Sequence, residues 1–360
     1  MADVERANPT FVEVPWLRIF PWLRLARVPG GAGDPKRLML AAAGLLLMHL
    51  GWAGLDRLFP GSADVTPAAT LSGEPRAWAS PIDPTRLAEP LQTLATPFRA
   101  LFDPKADGAS STHAFLAVLW ATAVWGIFGG AIARSSAVAL AKGERILMRD
   151  GLRFAVRHAA PLVATPIVPL LGVGLVTLPV AVFGLLYRSP GVGTSVAGWL
   201  AVLPLIGGML MALTLIGLAA GWPLMIGSVA AEADDGFDAL SRAYAFVHQR
   251  PWHYLGYAAF AGLVGWAGLA FVTLFAELVV SLTAWALGFG GTGPVVNPYF
   301  GVAPPPNAGI GPHGVWLAAV KLLVHAWTYS YLWSAAAGIY LLLRRDVDGT
   351  PFHSIVHKSV

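Results

Sequence analysis

Residues 254–288 read YLGYAAFAGLVGWAGLAFVTLFAELVVSLTAWALG, and Glu277 is the only charged residue in this stretch. A helix needs ~20 mostly apolar residues to cross a bilayer, so the stretch is long enough to span one. Further stretches of this kind divide the chain at roughly 38–59, 114–133, 162–187, 197–226 and 314–343. The sequence therefore predicts an all-α polytopic membrane protein with six transmembrane helices.

The composition agrees with this interpretation. Hydrophobic residues make up 56% of the chain and charged residues only 12%, whereas soluble domains are about 25% charged. We expect one transmembrane domain, residues 38–343, between an N-terminal interfacial segment, 1–37, and a tail, 344–360. Acidic residues near the start, and the lack of a short apolar run before residue 38, argue against a cleaved signal peptide.

The basic residues predict the orientation. Residues 1–37, 134–161, 227–253 and 344–360 together carry 17 of the 24 Lys and Arg residues, the opposite side carries six, and Lys321 falls within a span. Because Lys and Arg concentrate on the cytoplasmic face, both termini are predicted to be cytoplasmic, in a bacterial inner membrane. The excess of basic residues beside the spans suits lipid headgroups, and no nucleic acid partner is expected.

Two cytoplasmic segments have the pattern of amphipathic interfacial helices, residues 144–158 and 235–250. In the first, Arg145, Arg149, Arg153 and Arg157 recur every fourth residue and sweep a sector of about 120° on a helix. Apolar residues fill most of the opposite side. This segment is predicted to bind anionic lipid headgroups or an acidic partner. In the N-terminal segment, Trp-Arg pairs suit the headgroup layer.

The longest soluble segment is the outer loop, residues 60–113. Within it, apolar residues recur at helical spacing between Pro84 and Phe102. A helix resting on the outer surface of the membrane domain is predicted there.

Glu277 and Lys321 are the two charged residues that fall well inside the predicted spans. An ionised group near the bilayer centre costs at least ~2.5–3.5 kcal/mol, so it usually has a partner. The two residues differ in predicted depth by roughly 6 Å, which is within reach of long side chains. His325 and Tyr329 follow Lys321 at one-turn intervals. The four residues could form a proton or ion path, or Glu277 and Lys321 could form a structural ion pair.

Enzyme motifs are missing, and no catalytic activity, cofactor or metal is predicted. The chain has no cysteine, which excludes thiolate metal sites, and its nine histidines are scattered. The stretch from Glu232 to Leu240 resembles the opening of the CDP-alcohol phosphotransferase motif. The downstream aspartates that would hold the metal are missing, so the motif is rejected. The acidic run is interpreted instead as a solvated helix N-terminus.

Three stretches resemble those of a family of uncharacterised bacterial six-span membrane proteins. They are FRALFDP at 98–104, DGFDALSRAY at 235–244 and YLLLRRDVD at 340–348. The resemblance implies the six-span fold and carries no activity with it.

Two functions remain open from the sequence. The first is a non-catalytic scaffold or accessory subunit of a membrane assembly, with lipid and other membrane subunits as partners. The alternative is a small transporter or channel that uses the proline-containing third and fourth spans and the Glu277/Lys321 pair. Prolines and midplane polar groups are typical of transporters, and here the polar groups are sparse.

Overall fold

The computed structural model describes residues 16–62, 65–67, 83–103, 105–188, 191–290 and 312–355. All regular structure in these ranges is helical. Three short 3₁₀ segments occupy Pro21–Arg27, Pro84–Ala88 and Leu185–Arg188. The α-helices are α1 (Trp16–Ile19), α2 (Val28–Ala32), α3 (Pro35–Leu58), α4 (Glu89–Leu101), α5 (Gly108–Lys142), α6 (Met148–Arg157), α7 (Ala159–Gly184), α8 (Val192–Trp199), α9 (Val202–Glu232), α10 (Gly236–Gln249), α11 (Pro251–Gly290) and α12 (Pro312–Asp348).

Five helices of the described residues are long and apolar enough to cross a membrane: α3, α5, α7, α9 and α11. They coincide with five of the six predicted spans, and the all-α prediction is confirmed. Helix α12 covers the sixth predicted span, but it is not among the five helices that meet the length and hydropathy criteria for a span. By length and composition, therefore, the structure supports five spans rather than six.

Helix α12 lies at the centre of the molecule. It packs against α3, α5, α9 and α11, and nearly every residue from Ala326 to Leu343 is buried. Its polar groups have protein partners: Ser330 Oγ donates to the Ala32 carbonyl at 2.9 Å, and Ser136 Oγ donates to Ser334 Oγ at 2.7 Å. A helix surrounded by protein can satisfy such groups, whereas a helix surrounded by lipid cannot.

Local sequence sets the ends of several helices. Asp34, Asp107 and Asp235 are N-caps whose carboxylates accept backbone N–H groups of the first turn. Gly143, with φ of 73°, ends α5 in the left-handed conformation that favours glycine.

The predicted cytoplasmic helices form, with small differences in their bounds. The segment predicted at 144–158 is helical only from Met148, and the segment predicted at 235–250 is α10. The N-terminal segment was predicted only to contact the headgroup layer. In the structure it also packs on the bundle, because Leu25, Val28 and Ala32 are buried, and Leu25 and Val28 pack at Gly338 of α12. Residues 21–32 are therefore part of the protein core.

Candidate intramembrane polar site

Helix α4 carries a carboxylate into the helix bundle. The sequence predicts this helix correctly, and in the structure it packs against α5 and α12. The Glu89 side chain contacts His325, roughly 20 Å along α12 from its start. The Phe98 ring lies 6.2 Å from the ring of Trp222, which is roughly 30 Å along α9. Helix α4 thus contacts both α12 and α9.

Glu89 and His325 form the centre of the site. Glu89 Oε1 is 2.9 Å from His325 Nδ1, a hydrogen-bonded ion pair when the imidazole is protonated. The two side chains keep 25% and 23% of their surface exposed. Neither side chain is therefore fully enclosed by the protein.

Three further polar residues surround this pair. His49 of α3 is close enough to interact electrostatically with both Glu89 and His325. Lys321 is buried one turn before His325 on α12. Tyr329, one turn after it, is buried and interacts with the Thr93 hydroxyl of α4. The structure therefore brings the predicted Lys321, His325 and Tyr329 together, and adds Glu89 and His49.

Aromatic rings close the bundle beyond the polar site. The ring of Tyr329 stacks on Trp125 at 4.5 Å, and Trp125 stacks on Trp333 at 6.0 Å. Trp222 meets Trp333 edge to face at 5.7 Å. Trp125 and Trp333 are fully buried. These rings lie one to two turns further along α12 than His325, so they separate the polar site from the far end of the bundle.

Glu277 is half-buried on α11, and none of the ion pairs among the described residues joins it to Lys321. The carboxylate of Glu89 pairs with His325 of α12. Glu89 was not predicted as a site residue, because it lies outside the predicted spans. A carboxylate beside Pro90 in an outer loop carries no signal of membrane depth.

An apolar cavity of ≈ 300 Å³ adjoins the start of α4. Its lining includes Leu87 and Leu91, Pro223 of α9, Tyr254 of α11 and Tyr331 of α12. The Tyr331 hydroxyl donates to the Ala261 carbonyl, so it presents mainly its ring to the cavity.

A second polar cluster joins α9, α10 and α12 at the cytoplasmic end predicted from the charge distribution. Glu232 Oε1 accepts hydrogen bonds from Arg344 Nη1 and from the Tyr340 hydroxyl, each at 3.0 Å, and Arg242 bonds its other oxygen. The side chain of Arg344 is 3% exposed. The interpretation of this acidic run as a solvated helix N-terminus is wrong for Glu232, because only Asp235 acts as an N-cap.

The protonation equilibria of this cluster reflect burial and mutual charge. Burial tends to lower the pKa of Arg242, but Glu232 and Asp234 reverse the effect and hold the pKa above its ordinary value. Burial raises the pKa of Asp234, and a hydrogen bond from Ser228 and the charge of Arg242 offset this only in part. The cluster ties the ends of three helices together, which is a structural role.

The four arginines of the predicted headgroup-binding segment, Arg145, Arg149, Arg153 and Arg157, are all exposed. On α6 the buried residues are Gly151 and Ala155, on the side that packs against α5. The arginines are therefore free to meet solvent, lipid or a partner.

No family model matches the chain, and neither the curated proteins nor the solved structures include one significantly similar to it. The resemblance to bacterial six-span membrane proteins stays a prediction. The described residues also contain no group of three or more His, Asp or Glu side chains placed to hold a metal ion.

Proposed function

We propose that this protein is a small six-span transporter of the bacterial inner membrane that moves protons through Glu89 and His325. The observation that carries the proposal is the 2.9 Å contact between Glu89 and His325, both a quarter exposed, near the middle of the spans.

Partial exposure at this depth supports water access rather than lipid contact. An ionised carboxylate or imidazolium facing the hydrocarbon layer is strongly unfavourable, whereas one facing a water-filled cleft is not. The aromatic rings of Trp125, Trp222 and Trp333 support closure on the cytoplasmic side. Together they favour a site open outward and closed inward, which is one of the two states that alternating access requires.

The position of the chain termini supports six spans. Arg24 stacks over the ring of Phe352 at 4.2 Å, so the N-terminal segment and the C-terminal tail meet. Both lie on one side only if the chain crosses the membrane an even number of times, and α12 then supplies the sixth span. The distribution of basic residues, 17 against six, favours the cytoplasm for that side.

A non-catalytic scaffold or accessory subunit is the second candidate. The exposed arginines of α6 favour it, because they offer a basic surface to anionic lipid or to an acidic subunit. The window of high hydropathy in both α7 and α9 is only 11% buried within the chain, which leaves these two helices to contact lipid or another membrane protein.

The test is proton flux into liposomes that contain the purified chain, followed with an internal pH-sensitive dye. We expect the wild type to dissipate an imposed pH gradient and Glu89→Gln to be at least ~10-fold slower, because the amide cannot carry a proton at neutral pH. Glu277→Gln is the matched control, since it makes the same chemical change on α11, and it should keep the wild-type rate.

Two results would contradict the proposal. If Glu277→Gln abolished the flux and Glu89→Gln did not, transport would follow the pathway predicted from the sequence. If the pH gradient decayed no faster in vesicles with the wild-type protein than in empty ones, the scaffold hypothesis would be favoured. Co-purification of partner subunits would then be the next measurement.

A further inference from the structure

The structure contains a basic cavity at the cytoplasmic ends of α3, α5 and α12, on a different part of the molecule from the proton site. Its volume is ≈ 670 Å³. Four arginines line it, namely Arg24, Arg27, Arg37 and Arg145, together with His353 of the tail. Asp34 is the one carboxylate among the described lining residues, so the arginines outnumber the acidic groups by four to one.

Arg37 is the fixed part of this cavity. The residue is only 6% exposed. Its Nε and Nη2 donate to the side-chain and backbone oxygens of Ser135 at 3.1 Å, and its Nη1 donates to the Gly31 carbonyl at 3.0 Å. These partners are neutral, and two of the five guanidinium N–H donors remain beyond these three bonds. A buried cation held by neutral oxygens favours the approach of an anion.

Gly31 makes room for this arrangement. A Cβ atom at Gly31 would lie 2.8 Å from Arg37 Nη1, so any other residue would displace the guanidinium. Gly143, in the left-handed conformation, ends α5 at the cavity and turns the chain so that Arg145 reaches it.

Arg24 shows that the cavity concentrates positive charge. It lies over the ring of Phe352, which is buried and holds the arginine in place. Burial lowers the pKa of Arg24, and the neighbouring cations Arg345 and Arg27 lower it further. Clustered arginines repel one another until an anion with several oxygens lies between them, and phosphate matches the planar guanidinium well.

We propose that this cavity binds a phosphate-bearing ligand through Arg24, Arg27, Arg37 and Arg145. The ligand's phosphate would accept hydrogen bonds from the free donors of Arg37 and from the more mobile arginines at the rim. The cavity is far larger than a single phosphate, so the ligand carries further atoms. It is either the headgroup of an anionic lipid of the inner leaflet or a soluble organic phosphate.

Binding to the full-length chain in a lipid-stripping detergent tests the proposal and separates the two sources. The lipid probe is dihexanoyl phosphatidylglycerol, and the soluble probe is its deacylated form, glycerophosphoglycerol, which carries the same phosphodiester without acyl chains. Affinity is measured by isothermal titration calorimetry for the wild type, Arg24→Gln/Arg27→Gln, and the control Arg57→Gln/Arg188→Gln. The control removes the same charge from two exposed positions outside the cavity.

We expect at least one probe to bind the wild type at a single saturable site. The cavity variant should bind it about 30-fold more weakly, since each near-surface arginine contributes ~1 kcal/mol, and the control should match the wild type. Binding of phosphatidylglycerol alone would identify a lipid site, and equal binding of both probes a soluble phosphate.

The proposal is wrong if neither probe binds, or if both double variants weaken binding equally, which would mean general electrostatic attraction. Should the double variant unfold, the single change Arg27→Gln at an exposed position replaces it, with an expected loss of about 5-fold.

Discussion

Glu232 stabilises the inner end of the bundle, because its carboxylate bonds one arginine on each of two other helices. Arg344 bonds one of its oxygens and Arg242 the other. Arg344 also has an Nε atom with no hydrogen-bond partner among the described residues, so its charge already lacks full compensation.

We expect Glu232→Gln to lower the free energy of unfolding by about 3–5 kcal/mol, because it removes the carboxylate that bonds the buried guanidinium of Arg344. Glu232→Gln combined with Arg344→Met should recover part of this loss. Thermal unfolding of the purified variants in detergent measures both effects. Losses that add in the double variant would mean that the two residues are not coupled.

Asp234 gives a pH dependence whose sign is fixed by its raised pKa. The native state holds the proton more tightly than the unfolded chain, so this stabilisation is complete below the ordinary Asp pKa of about 3.9 and is lost as the pH rises through the raised folded value. Relative to Asp234→Asn, the wild type should therefore lose stability as the pH rises from about 3.5 to 6. Unfolding midpoints across that range measure it, and Asp238→Asn, at an exposed position on α10, is the control. If the wild type instead gained stability relative to Asp234→Asn as the pH rises, the pKa of Asp234 would be lowered rather than raised by folding, and the prediction would be wrong.

At the residue scale the sequence predicted three of the five residues of the polar site. Lys321, His325 and Tyr329 stand out because an apolar helix contains few polar groups, and each one is costly there. Glu89 and Glu232 do not stand out, because a carboxylate in a loop or at a helix end is ordinary until the tertiary structure buries it. Which acid pairs with which base depends on packing between helices that are distant in the sequence.

At the scale of elements, α4 shows the limit of periodicity. Its apolar residues Leu87, Leu91, Leu94 and Phe98 predict a helix with one apolar face, and that helix forms. The same face would fit a membrane surface as well as a protein interior, so the pattern alone does not say where the helix packs. Helix α12 is the opposite case, since its lower hydropathy reflects a central position.

The position of α4 can be tested by crosslinking, because the chain has no native cysteine. We expect Phe98→Cys and Trp222→Cys to be joined by a short bifunctional thiol reagent, since their rings are 6.2 Å apart. Phe98→Cys with Trp285→Cys is the matched control, because Trp285 is exposed near the outer end of α11. If the Phe98→Cys/Trp222→Cys pair failed to crosslink, the packing of α4 against α9 would be wrong. Electrophoretic mobility reports either outcome.

At the scale of the whole molecule, the N-terminal segment and the C-terminal tail are in contact. Residues 21–32 pack on α12, and Arg24 lies over Phe352 of the tail. Five helices of the described residues pass a test of length and hydropathy. The contact between the N-terminal segment and the tail supports the even number of crossings that we propose, with α12 as the sixth span. The hydropathy of α12 is lowered by polar groups that have protein partners, such as Ser330 and Ser334.

Thiol labelling in intact cells decides between five and six spans. Single cysteines at Ala26, Ala109 and Ser354 occupy the N-terminal segment, the start of α5 and the C-terminal tail, and each replaces an exposed residue. With six spans and cytoplasmic termini, an impermeant maleimide should label Ala109→Cys only, and Ala26→Cys and Ser354→Cys should react only after the cells are permeabilised. Five spans would place Ser354→Cys outside and leave Ala26→Cys protected. Labelling of both terminal positions in intact cells, with Ala109→Cys protected, would keep six spans but invert the orientation drawn from the basic residues.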